Sequence, residues 1–159
     1  LNLKQERVER ILKECDKHLL RLNSAYNKMS KIMPINSIRY LSLSDDEVEH
    51  IDQFLFRFAK LQDSIGQKLF KAILIYFEED VENIPFIDIL NKLEKLNFLK
   101  NKNEWLELRI IRNELAHDYD DQPEEISLVI NLIYSKKDSI ENIYSNILNY
   151  YQARKQNVK

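Results

Sequence analysis

One glycine and three prolines are all that 159 residues hold of the two residue types that most often punctuate a chain. Sheets and tight turns need more of both, so long uninterrupted helices are expected. A single cysteine, Cys15, excludes a disulfide framework and a thiolate zinc cluster and fits a reducing cytoplasm. No apolar run approaches the roughly 20 residues that span a bilayer. The opening stretch LNLKQERVER is broken by charges at once, unlike a secretory signal, so no membrane partner is expected. The chain starts at Leu1 rather than Met, which leaves its native start open. Charge of one sign is also lacking: 24 Lys and Arg against 26 Asp and Glu give a net −2 and a pI near 6.0. That balance disfavours a strongly basic nucleic-acid binder, while a local basic patch at a shared cleft stays compatible with it. Glycine-rich phosphate loops, H-E-x-x-H and the nucleophile elbow are missing, and with them nucleotide hydrolysis by those routes. A helical chain without strand-borne paired carboxylates also offers no nucleotidyltransferase site. No cofactor and no metal are expected.

What is present is a globular balance, 31% charged and 44% hydrophobic, in one expected domain over residues 1–159. Ile11, Cys15, Leu19, Leu22, Tyr26, Met29 and Met33 recur in steps of three and four, one face of a helix that Pro34 closes. PINSIRYLSL reads as a linker. SDDE at Ser44–Glu47 has the pattern of a capping box, and its aspartates suit the positive end of a helix. The stripe that follows runs Val48, Ile51, Leu55, Phe58, Gln62, Ile65, Leu69, Ala72, Tyr76. Phe54, Leu61 and Ile75 form a second row, and Phe56, Phe70 and Phe77 a third. So many apolar faces imply a helix central to a bundle that also meets a second subunit. Gly66 interrupts it, through simple tolerance or through close approach of another backbone, such as a partner subunit's. Ile87, Leu90, Leu93 and Leu96 mark a shorter helix; Trp105, Leu108, Ile111 and Leu115 mark another. Asp121 before QPEE reads as the N-cap of a last helix through Ile126, Val129, Ile133, Ile140, Tyr144, Ile147 and Tyr151. The expected fold is all-α: an antiparallel up-and-down bundle of five helices, three long and two short, paired as a homodimer.

RNELAHDYDD, Arg112 to Asp121, places R-x-x-x-x-H-x-Y at a helix end. Five residues turn a helix by about 140° from Arg112 to His117, so the two do not share a face. Arg112 and Tyr119, seven apart, share one only if the helix continues. A cleft between two copies, each giving an arginine and a histidine, resolves that geometry. Histidine exchanges a proton near neutrality and so can serve a ribose 2′-hydroxyl or a leaving oxygen. Arginine forks onto phosphate and stabilises charge growing on it. From spacing alone, such residues are more often surface and cap residues: Arg112 pairing with Asp118 or a glutamate, His117 complementing the helix C-terminus.

RNELAHDY resembles the signature of the HEPN superfamily, in particular the HepT-like toxin subunits encoded beside minimal nucleotidyltransferases. Arg112, Asn113, His117 and Tyr119 stand at the positions of that pattern. FLFRFAKLQDSIGQKLF is similar to the second helix of relatives described as nucleotidyltransferase substrate-binding proteins. The resemblance spans residues 48 to 119. It implies a dimeric, metal-independent endoribonuclease acting on RNA, with Arg112 and His117 catalytic at the dimer cleft and Asn113 in support. Tyr119 would be the residue that a cognate nucleotidyltransferase antitoxin modifies with AMP. The alternative it leaves is a non-catalytic binding subunit for that enzyme. Asp118, Asp120 and Asp121 crowd the motif, and like charge beside a phosphate backbone weakens its binding.

Remaining candidates read more plainly. Arg57 and the Gln62–Asp63 pair lie along the second long helix, Arg57 as a cleft or salt-bridging residue. His18 and Cys15, three apart, read as ordinary helix residues rather than metal ligands, and His50 has no evident role.

Overall fold

The computed structural model describes residues 2–117, 119 and 121–155, and among them every regular element is helical. Asp118, Asp120 and the end of the basic tail therefore lie outside the described residues. The first helix, α1, runs Leu3–Met29. It stops before Met33 because Ser30 turns both its hydroxyl and its amide onto the carbonyl of Asn27. The expected linker contains a short helix, α2 (Ser37–Leu41), whose start Asn36 caps by accepting from the Arg39 amide at 2.8 Å. That cap signal lay in the sequence but was masked by the preceding proline.

The long central helix begins where expected. Ser44 accepts from the Glu47 amide while Glu47 accepts from the Ser44 amide, closing the capping box at α3 (Asp45–Ser64). A π turn, Ile65–Leu69, joins α3 to α4 (Phe70–Tyr76) by a bond from the Phe70 amide to the Ile65 carbonyl. Ile51, Phe58, Ile65, Leu69 and Ala72 are buried along the expected stripe, as are Phe54 and Leu61 from the second row. Phe70 of the third row is buried too, whereas Phe56 is exposed. α1 packs along α3 and α4 on one side and later helices meet the central helix on others, while Val48 and Phe56 stay exposed.

With glycine so scarce, two helix ends use other residues in the left-handed region. Glu78 (φ 64°) follows α4, and Asn97 (φ 68°) follows α5 (Phe86–Lys95). In each, the next residue's amide reaches back five residues, Glu79 to Leu74 and Phe98 to Leu93. The buried face of α5 centres on Ile89, Leu90 and Leu93, leaving Ile87 exposed.

The next helix, α6 (Lys102–Glu114), buries Trp105, Leu108 and Ile111 as its spacing requires. It packs on α3 and reaches Gly66 of the π turn, where an added Cβ would lie 2.7 Å from Cζ2 of Trp105. The close neighbour at Gly66 is thus an indole of the same chain rather than another backbone. The expected last helix is two: α7 (Pro123–Ser135) and α8 (Lys137–Lys155), parted at Lys136. Ile133 and Ile140 keep one register across the break, which is why periodicity alone reads it as continuous. Gln122 rather than Asp121 takes the N-cap position of α7, with Pro123 beginning the helix. The buried apolar side chains of all the longer helices gather in one core cluster. None of these helices is long and apolar enough to cross a membrane.

Gly66→Ala should lower stability although alanine favours a helix by about 1 kcal/mol. The expected loss is roughly 1–3 kcal/mol, the usual scale of overpacking, read as a lower urea midpoint. An unchanged or higher midpoint would mean that Trp105 yields without cost.

Candidate functional site

The motif straddles a helix end. Arg112 and Asn113 sit in the last turn of α6, whereas the backbone leaves the helix at Leu115, so His117 and Tyr119 follow no helical register. Tyr119 cannot share a helical face with Arg112.

Arg112 is half-buried, and its guanidinium is held by Asp63 of α3: Nε donates to Oδ1 and Nη2 to Oδ2, both at 3.0 Å. This two-point fork raises the guanidinium pKa further above its ordinary value, the hydrogen bond to Asp63 outweighing desolvation. Arg112 and Asn113 line one wall of a cleft of about 540 Å³; Gln62, Asp63 and Lys71 face them from the central helix. Arg109, one turn before Arg112, adds a third cation and stacks over Phe86 with its guanidinium 4.7 Å from the ring centroid. Trp105 closes the cleft wall with its Nε1 buried and without a hydrogen-bond partner among the described residues. Lys71, Arg109 and Arg112 against one carboxylate make the cleft suited to an anion.

His117 and Tyr119 line a different concavity, a groove of about 420 Å³ between α2, the first half of α3 and the start of α7. Their rings meet edge to face with centroids 6.0 Å apart. The Tyr119 hydroxyl donates to Glu114 at 2.8 Å, and that bond, with burial and the nearby Glu125, raises the phenol pKa. The structure therefore brings Arg112 to Asn113 and His117 to Tyr119, but within one chain it gives the two pairs separate concavities.

The side chains that hold Arg112 and Tyr119 carried no pairing signal in the sequence, although Asp63 stood out there with Gln62 as a polar pair. Asp63 was one polar residue on a long helix, and its partner lies 49 residues away. Glu114 meets Tyr119 only because the chain leaves the helix between them. Arg57 does not reach the cleft. Its Nη1 lies 2.9 Å from Nδ1 of His18 on α1, and its guanidinium also leans on Phe56. An arginine can only donate, so Nδ1 accepts and His18 is neutral there. Burial and the Arg57 charge both lower the His18 pKa. Cys15 is buried beside it, where desolvation pushes its thiol up to about 12 and leaves it inert. Glu14 completes this α1–α3 seam. It accepts from Ser64 at 2.6 Å and from Lys68 at 3.0 Å, and these bonds hold its carboxyl below the usual range.

Compared with family models, curated proteins and solved structures, the chain matches none.

The His18 contact sets a pH dependence. Because the folded pKa lies below the unfolded value of about 6.5, the unfolded chain binds more protons in the window beneath it, and stability falls as pH drops through that window. His18→Gln should flatten the decline in urea midpoint between roughly pH 7 and pH 5. A wild-type slope retained in full by the variant would assign it to other groups.

Proposed function

We propose that this chain is the toxin of a toxin–antitoxin pair: an antiparallel HEPN-like helical bundle that pairs as a cytoplasmic homodimer and cleaves RNA without a metal. A cognate minimal nucleotidyltransferase silences it by adding AMP to Tyr119. The observation that carries the reading is the Asp63 fork on Arg112, set in a cleft with Lys71 and Arg109. Asp63 occupies two of the five guanidinium N–H donors and leaves three for a phosphate. His117 lines a separate groove, so the shared site takes Arg112 from one copy and His117 from the other.

In that site His117 takes the proton of a ribose 2′-hydroxyl as its oxygen bonds to phosphorus. The bond to the 5′-oxygen breaks, that oxygen receives a proton, and a cyclic phosphate remains. Arg112 stabilises the charge that grows on the phosphoryl oxygens, and Asn113 supports it. Silencing uses the other contact. The phenol oxygen of Tyr119 bonds to the α-phosphorus of ATP, pyrophosphate leaves, and Glu114 is placed to accept the proton. The added phosphate then competes with RNA for Arg112.

A second reading, a non-catalytic subunit that presents substrate or itself to the nucleotidyltransferase, is favoured by one observation: a single chain does not bring Arg112 and His117 into one concavity.

Arg112→Ala and His117→Ala should each cut RNA cleavage roughly a hundredfold or more, the scale of such groups. Both variants should stay helical and dimeric, and both should relieve growth arrest on induced expression. Cleavage should persist in EDTA. Cleavage undiminished in His117→Ala would mark a contaminating nuclease and favour the second reading. After co-expression with the nucleotidyltransferase, mass spectrometry should place the AMP on Tyr119 and find none on Tyr119→Phe. Modification that persists in that variant would reject the assignment.

A further inference from the structure

The groove between α2, α3 and α7 has a character of its own. Its walls are apolar, with Leu41, Leu43, Val48, Ile51, Leu55 and Ile126 facing into it. Apolar surface continues past one edge: Ile38 and Leu41 of α2, three residues apart on one helical face, are more than 70% exposed. Because Leu41 also lines the groove, that surface is contiguous with it rather than scattered.

Its border is acidic. Asp45, Glu49 and Asp52 recur at steps of four and three along α3, one helical face beside the apolar stripe, and all three are exposed. Glu124 and Glu125 stand in the first turn of α7 across the groove. Glu125 is close enough to Tyr119, on the groove wall, to raise its pKa. No ion pair among the described residues engages any of these five carboxylates, although Arg39 nearby is paired with Glu47. Asp52 itself lines the groove, and partial desolvation raises its carboxyl pKa.

We propose that this groove docks a basic amphipathic helical segment of a partner protein, its apolar side on Val48, Ile51 and Leu55 and its lysines or arginines on Asp52, Glu49 and Glu125. The acidic border selects among occupants. Two copies meeting groove to groove about a two-fold axis would set carboxylates against carboxylates. An anionic bilayer would meet the same repulsion. A cationic helix gains both contacts, laying its apolar face in a groove while its charges reach the rim. The segment would also cover His117 and Tyr119, so its docking and RNA cleavage at the shared site exclude each other on one groove, but the inference rests on neither residue's chemistry.

The test uses the full chain and two labelled helical peptides of about 18 residues, roughly five turns. Both carry the same leucine face; one has lysines and the other glutamates on its polar face. Fluorescence anisotropy should show saturable binding of the leucine–lysine peptide, weakening as salt is raised, and at least roughly tenfold weaker binding of the leucine–glutamate peptide. Val48→Asp, at an exposed position that leaves the fold intact by circular dichroism, should abolish binding. Asp52→Asn with Glu49→Gln should weaken it by roughly three- to tenfold, the scale of surface charge contacts. Failure of the lysine peptide to bind overturns the proposal, as does equal binding of the two peptides. Binding that is unchanged in Val48→Asp places the peptide elsewhere on the acidic surface and overturns it too. If light scattering shows that Val48→Asp dissociates a dimer, a second copy covers the groove and the proposal falls.

Discussion

The contact on which the rest depends is the indole of Trp105 lying where a side chain on residue 66 would be. A helix that carries any side chain there stands farther from its neighbour. The only glycine in the chain therefore lets α6 settle onto the central helix at one register. Asp63 is three residues before Gly66, and Arg112 is seven after Trp105, so each lies on the same helical face as the residue making the close contact. Once Trp105 is seated, the carboxylate and the guanidinium face each other at 3.0 Å in two places. Gly66 itself lies within the π turn over Ile65–Leu69, so the irregular turn and the close indole contact coincide.

One helix thus serves two concavities. The second half of α3 and the π turn contribute to the cationic cleft, and the first half of α3 contributes the floor of the apolar groove. Their electrostatics differ in sign. Lys71, Arg109 and Arg112 outnumber Asp63 in the cleft, while the groove is bordered by carboxylates free of ion pairs among the described residues. A net charge of −2 conceals this division. An anion is drawn to one end of the helix and a cation to the other, and the RNxxxH segment, running off the end of α6, touches both.

Helix existence, the capping box at Ser44 and the buried faces of α1, α3 and α6 are written in local patterns, and a reader of the chain finds them. Periodicity of 3.6 and a cap three residues long need no knowledge of the rest of the molecule. Boundaries were less legible. Asn36 starts a helix inside what composition marks as a linker, and Lys136 divides what apolar spacing joins, because Ile133 and Ile140 stay in phase across the break.

The motif residues were legible by type, and their surroundings were not. The sequence by itself determined that Arg112 and His117 cannot share a helical face, and it left Gly66 open between simple tolerance and a close approach. Only the tertiary structure decided that the tight neighbour is Trp105, that Asp63 holds Arg112, that Arg57 turns to His18 instead, and that Glu114 accepts the hydrogen bond of the Tyr119 hydroxyl. The reason is physical. Spacing along a chain reports which side chains share a face of one helix, whereas a partner 49 residues away is set by the register between two helices, and packing at a single small residue decides that register.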